Sequence, residues 1–388
     1  MPARVLADIH PAALRWVREG IGIPQPIAAE RIGVTPERLR AFEEGTARPT
    51  IGQLRTIGRV YKRPAAFFYL QNLPERVAPI PDYRRLPQDD DPSQLPELVD
   101  AIEAARSRRY SAIELARSLG KEVPDFGVRA SLDEAPEAIA DRIRGRLGVE
   151  LSVQRATRDK YRALRLWTNA IERAGILVSQ FSGVDVHLAR GFSLSDQPLP
   201  VVSVNGKDSP RAKVFTLFHE LVHIALGAGG LCDLHDDRGI ADQVEPFCNR
   251  VAAECLVPTA SFLSEPLLRD VAPDAWEDWR VQELATSYGV STEVILRRLL
   301  SLGRTTEAFY RAKREEFLRG YAAAAAESGG FLQYFRRVLR DNGTTFTTLV
   351  LDAYKSDLLS PIEVSRTLGG VNLIHLPAID AALQGSES

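Results

Sequence analysis

Three cysteines in 388 residues are too few for a disulfide framework, and the spacing of Cys232, Cys248 and Cys255 matches no thiolate metal motif. That usage fits a reducing compartment. Cys248 and Cys255 fall on one predicted helix and read as small buried hydrophobes. No run of about 18 apolar residues occurs, so no segment is expected to span a membrane. The stretch from Met1 to His10 carries no signal-peptide core, and a cytoplasmic location is the expectation. Histidine is scarce as well, with six in the chain, so a pair of them at a meaningful spacing is informative. What remains is an ordinary globular composition, 45% hydrophobic and 26% charged, long enough for two or three domains.

Charge is unevenly spread along the chain. Residues 1–80 hold 12 Lys or Arg against 7 Asp or Glu, although the whole chain carries −2. A basic end on an acidic body points to a polyanionic partner for that end.

Residues 11–70 read as five short helices over 11–20, 26–32, 35–44, 51–61 and 64–70. The first opens on proline and closes on glycine, as helix termini prefer. Gly33 and Val34 make a turn between the second and third. Thr35 is placed to cap the third helix, with Pro36 at its first helical position. Gly45 stops it. Two short helices joined by a Gly-containing turn form the helix-turn-helix pattern, whose second helix enters the DNA major groove. Leu39 and Phe42 would face the core, leaving Thr35, Glu37, Arg38, Arg40 and Arg48 for bases and phosphates. Glu43 and Glu44 suit a DNA face poorly, so a helical bundle used only for protein contacts stays open as the alternative.

Residues 76–96 form a proline-rich connector containing Asp89, Asp90 and Asp91, and read as an extended linker. Tyr83, Arg84 and Arg85 inside it are more aromatic and basic than a linker needs. Helical periodicity follows over 97–119, 135–147 and 156–174, with Trp167, Ile171 and Ala174 spaced as a core face. Strand-like stretches rich in β-branched residues cover 176–181, 187–193 and 200–205. After Pro258 the chain reads as helix to near its end. Residues 281–302 repeat a helix-turn-helix-like spacing without a basic excess, and read as a helical hairpin packed on the domain before it.

The most informative stretch is His219-Glu220-Leu221-Val222-His223. On a helix, this spacing puts two imidazoles one turn apart on the same face with a carboxylate beside them. Residues 215–227 are apolar almost all round, so that helix should be buried. Unpaired polar groups in such a place cost roughly 2–7 kcal/mol each, so these three need partners. A tetrahedral Zn²⁺ with one position open for water satisfies them, with Glu220 as general base. A third protein ligand remains to be found among Asp233, His235, Asp236, Asp237, Asp242, Glu245 and Glu254. A rigid helix holds coordination geometry better than a loop. This favours Glu245, which shares a helix face with Asn249, over His235 in the loop at 231–239. Pro246 cannot sit in a normal helix interior, which predicts Glu245 at the N-terminus of its helix. His187, Arg190 and Arg211 are candidates to stabilise an oxyanion.

Phe215-Thr216-Leu217 before the histidine pair, followed by Glu245, Cys248-Asn249, Ala252-Ala253, Leu256 and Pro258, resembles the ImmA/IrrE family of metallopeptidases, related to the gluzincins. Gly191-Phe192-Ser193, Pro200 and Asn205 upstream are similar to that family too, as are Tyr288-Gly289-Val290-Ser291 and Arg298-Leu299 downstream. Residues 10–70, with Arg40-Ala41-Phe42-Glu43, Gly45 and Pro49, resemble an XRE (Cro/C1-type) helix-turn-helix domain. The resemblance implies His219, His223 and Glu245 as zinc ligands and Glu220 as the catalytic base. The implied fold is multidomain and mostly α: a helix-turn-helix domain over 1–75, a linker over 76–96, an α+β zincin-like domain with a small sheet over 97–305, and a helical region over 306–388. The implied function is a DNA-binding transcriptional regulator that cleaves or inactivates a repressor or antitoxin-like protein, one encoded nearby. The alternative is a transcription factor whose peptidase-like domain serves as a sensor or protein-binding module. Expected partners are duplex DNA, that protein substrate, and a second copy of the chain in a homodimer.

Overall fold

In the computed structural model, the residues described are 6–20, 24–61, 63, 65–69, 96–227, 238–327 and 333–384. The connector at 76–95, with Tyr83, Arg84 and Arg85, lies outside them, as does the loop carrying Cys232, Asp233, His235, Asp236 and Asp237. The chain divides into two compact units, the first ending at Glu103 and the second running from Ala104 to Ser388.

The first unit is built from α1 (Pro11–Gly20), α2 (Gln25–Ile32), α3 (Pro36–Glu43) and α4 (Ile51–Val60), followed by a 3₁₀ turn at Ala65–Tyr69. Local chemistry explains these ends. Thr35 Oγ1 accepts from the Arg38 amide and caps α3. Thr50 and Gln53 form a reciprocal capping box at the start of α4. Gly33 takes φ +78° between α2 and α3, a left-handed conformation that costs a side-chain-bearing residue far more. Leu14, Leu39, Phe42, Ile57 and Phe68 form the core. Glu43 joins that interior rather than the exposed face, because Arg18 Nε and Nη2 donate to its two carboxylate oxygens at 2.6 and 3.0 Å and Gln25 adds a third bond at 3.0 Å.

Helix α5 (Pro96–Ser118) spans the division between units. The second unit continues with α6 (Pro136–Leu147), α7 (Leu151–Ala156), α8 (Lys160–Arg173), β1 (Leu177–Phe181), β2 (Gly191–Leu194), β3 (Val201–Asn205) and α9 (Pro210–Ala225). Beyond these come α10 (Arg238–Leu256), α11 (Thr259–Leu263), α12 (Asp278–Tyr288), α13 (Thr292–Ser301) and α14 (Glu307–Glu327). The last described elements are α15 (Tyr334–Asn342), α16 (Thr344–Lys355), α17 (Pro361–Thr367) and α18 (Leu376–Gln384).

The three strands form one sheet in the order β1-β3-β2, with β1 parallel and β2 antiparallel to β3. Helices α6, α8, α9, α10, α12 and α13 share one apolar core. Trp167 of α8 meets Phe218 of α9 edge-on at 4.7 Å between ring centroids, anchoring the rear of α9. Helices α12 and α13 contribute Leu284, Tyr288, Ile295 and Leu299 to that core, so residues 281–302 form a hairpin packed into the unit.

Around the sheet, two boundaries differ from the sequence expectation. The periodic stretch at 156–174 is broken, because α8 starts afresh where Asp159 Oδ1 accepts from the amides of Tyr161 and Arg162. The strand expected at 187–193 begins only at Gly191. Residues 184–190 are held as a turn instead, with Asn205 Nδ2 donating to the carbonyls of Val184 and Ala189 and Asp185 Oδ1 accepting from the His187 amide.

Candidate metal centre

Helix α9 carries the histidine pair. Ser209 caps it by accepting from the Ala212 amide, and Pro210 occupies its first turn. From Thr216 to Ala225 every residue is buried, so the two imidazoles point into the protein. They are not alone there. His219 Nε2 and His223 Nε2 stand 3.0 Å apart, and Glu245 reaches both from α10, its two carboxylate oxygens 3.2 Å from His219 and 3.0 Å from His223. These three side chains form the cluster able to hold a metal ion among the described residues.

Burial opposes charge on both kinds of group, but hydrogen bonds overcome it. Hydrogen bonds to Cys248 and Glu245 carry His223 well above the usual histidine value. Those from His219 and His223 hold Glu245 well below the usual carboxylate range. Glu245 Oε2 is buried 3.2 Å from His219 Nε2 without the geometry of a hydrogen bond, an arrangement of donor atoms turned toward a common point rather than toward each other. An N, N, O set with close mutual separations fits a divalent cation. Tetrahedral bonds of about 2.0–2.1 Å put donors roughly 3.3 Å apart.

Glu220 takes a different place. It is buried beside the cluster but outside it, and its Oε2 accepts a 2.8 Å hydrogen bond from Ser193 Oγ on β2. The strand can come so near because Gly191 has no side chain: a Cβ there would lie 2.5 Å from Thr216 Cγ2 and 3.7 Å from Glu220 Cγ. Arg109 braces the far end of this strand connection, donating to the carbonyls of Pro198 and Leu199.

Of the remaining candidates, Glu254 is committed elsewhere. Its carboxylate accepts from the Thr259 amide and hydroxyl at 2.8 and 2.7 Å and pairs with the buried Arg298. Arg190 pairs with Asp208 at 3.4 Å, Arg211 donates to Thr286, and His187 is exposed. The expected helix start at Glu245 is overturned: α10 begins at Arg238 and contains Pro246 in its interior. Proline removes a single donor to the preceding turn, and the burial of Val244, Phe247, Cys248 and Val251 on either side supplies the packing that carries the helix through. Both described cysteines are buried, and Cys248 is close enough to His223 to raise that imidazole's affinity for a proton. That role had no sequence signal beyond a position three residues after Glu245. Ser193 was likewise visible only as part of the Gly191-Phe192-Ser193 stretch.

In the first unit, Glu37, Arg38 and Arg40 are exposed on α3, and Arg38 lies 5.0 Å over the Phe42 ring. Thr35 is exposed at its cap, and Arg48 is exposed and paired with Asp8 at 3.1 Å.

Residues 171–300 match the family model Peptidase_M78, the IrrE N-terminal-like domain. This segment contains the sheet, α9 and α10, and hence every residue of the cluster. The match supports a zincin-like peptidase domain over these residues. No curated protein and no solved structure matches the chain. No described helix is long and apolar enough to cross a membrane.

Proposed function

We propose that this protein is a zinc-dependent peptidase that acts on a specific protein partner and is joined to a DNA-binding domain. The observation that carries the peptidase reading is the convergence of His219, His223 and Glu245, with Glu220 bonded to a strand rather than to that cluster. His219, His223 and Glu245 would hold the ion. Zinc, when bound, supplies Lewis acidity toward a water and a peptide carbonyl. Glu220 then accepts a proton from the water as its oxygen adds to the carbonyl carbon. It returns that proton to the amine nitrogen as the C–N bond breaks. The substrate chain is taken as an extended segment added to the outer edge of β2, which no other strand covers among the described residues.

The DNA-binding part rests on the basic excess of residues 1–80, the short α2-turn-α3 arrangement, and the inward turn of Glu43, which removes one acidic group from the exposed face. A repressor or antitoxin-like protein encoded alongside is the proposed substrate, and the setting is the cytoplasm.

Metal analysis and peptide cleavage test this reading together. Purified wild-type protein should hold about one zinc per chain, and His219→Ala should lose it. Glu220→Gln should keep zinc and fold while cleavage of a quenched-fluorescent peptide pool falls by about 10²–10⁴-fold, the usual contribution of a positioned general base. Glu245→Gln should instead weaken metal retention. Equal zinc in wild type and His219→Ala would remove the site. Undiminished function of a zinc-loaded Glu220→Gln protein would leave the domain as a sensor rather than a peptidase.

A further inference from the structure

The geometry points to Ser193 as the positioning residue that couples the docking of an extended substrate on β2 to the orientation of Glu220; this rests on the peptidase reading above. Strand β2 is one of the two outer strands of the sheet among the described residues, and its register against β3 pairs Gly191 with Val204, Phe192 with Ser203, Ser193 with Val202 and Leu194 with Val201. The neighbouring pair is hydrogen-bonded, since the Asn205 amide donates to the Arg190 carbonyl at 2.7 Å. Antiparallel pairs alternate between bonded and non-bonded. The main-chain groups of Phe192 and Leu194 therefore turn inward to β3, and those of Gly191 and Ser193 turn outward to the open edge.

Side chains alternate at the same time. Phe192 packs against Phe181 on one face, with ring centroids 5.4 Å apart. Gly191 and Ser193 face α9, where the Cα of Gly191 abuts Thr216 and Ser193 Oγ donates to Glu220 Oε2 at 2.8 Å. Ser193 alone on this strand thus offers main-chain groups to an incoming chain and a hydroxyl to the proposed base. A hydrogen bond to a carboxylate is short and strong, and it fixes rotation of the carboxylate about its last bond. Pairing of the substrate with the Ser193 main chain holds the strand, and the hydroxyl transmits that position to Glu220. The bond to be cut and the group that moves the proton are then set in register by one residue.

The test uses the full chain loaded with zinc, as wild type, Ser193→Ala and Ser193→Thr. Two readouts are taken: steady-state cleavage of a quenched-fluorescent peptide pool, and binding of acetohydroxamate, a small zinc-binding acid whose proton needs a well-placed acceptor. In Ser193→Ala, kcat should fall about 10–100-fold, the usual loss when a group supporting a metal site is removed. KM, zinc content and melting temperature should stay near wild type, and acetohydroxamate should bind about 10-fold more weakly. Ser193→Thr restores the hydroxyl and should recover most of both. An active wild type whose Ser193→Ala variant keeps the same kcat and the same acetohydroxamate affinity overturns the role of Ser193 and leaves the peptidase reading standing. A zinc-loaded wild type that cleaves neither the pool nor the repressor or antitoxin-like protein encoded alongside overturns both.

Discussion

Gly191 sets the distance between the edge strand and the helix that carries the histidine pair. An added Cβ would lie 2.5 Å from Thr216 Cγ2 and 3.0 Å from the Ser203 carbonyl oxygen, and main chain cannot yield as a flexible side chain can. Gly191→Ala is expected to cost about 1–3 kcal/mol through overpacking and to loosen the Ser193–Glu220 contact. Adding Thr216→Ser, which deletes the crowding methyl, should recover part of that loss in urea denaturation; no recovery would place the strain elsewhere. Arg298 and Glu254 present a different case. Both side chains are 7% exposed, and Arg298 also donates to the Val257 carbonyl and to Thr259 Oγ1. Arg298→Met would strand a buried carboxylate and should destabilise by about 3–5 kcal/mol. A measured loss below about 1 kcal/mol would mean that water reaches Glu254.

Helix α16 docks on the body of the second unit through its N-terminus. The amides of Thr344 and Thr345 donate to the two oxygens of Glu172, both at 3.2 Å, and the carboxylate lies at the positive end of the helix. Gly343 immediately before them leaves no room for a side chain, since a Cβ would fall 2.2 Å from the Val178 carbonyl oxygen. Burial pushes the Glu172 carboxyl up to about 7, against the pull of the amides of Thr345, Thr344 and Val178. A folded pKa above the unfolded one means that the native state holds a proton the unfolded chain has released. The stability from this group is therefore fully present below the ordinary value of 4.5 and is lost as pH rises through about 7. Urea midpoints of the wild type should fall between pH 5 and pH 8 more than those of Glu172→Gln. Parallel pH profiles for the two proteins would remove Glu172 as the cause.

The whole chain joins a basic end to an acidic body. If residues 1–75 bind duplex DNA as proposed, phosphate contacts dominate, and log K should fall linearly with log salt. Arg38→Ala and Arg40→Ala in the full chain should each weaken binding to random duplex DNA and reduce the salt slope by about 1. Both side chains are exposed, so melting temperature should not change. Fluorescence anisotropy from low to physiological salt decides it. A protein that binds no duplex even at low salt belongs to the alternative in which the five short helices make only protein contacts.

The chain's local chemistry alone determined much of this. Proline and threonine at helix starts, glycine in left-handed turns and the four-residue spacing of His219 and His223 are short-range signals, and the helices of the first unit and the pair on α9 follow from them. The existence of three strands was legible from β-branched runs. Their edges were not, because Asn205 reaches across 16 and 21 residues to hold the chain before β2 as a turn. Pro246 read as a helix boundary because its local cost is certain, whereas the packing that offsets that cost comes from residues distant in sequence. The same holds for Ser193 with Glu220, for Glu254 with Arg298, and for Glu172 with amides 172 and 173 residues away. Hydrogen bonds of that reach depend on which faces the core brings together, and no periodicity along the chain encodes them. Sequence placed the histidine pair on one face of a buried helix; tertiary packing brought Glu245 to it and turned Glu220 toward the edge strand.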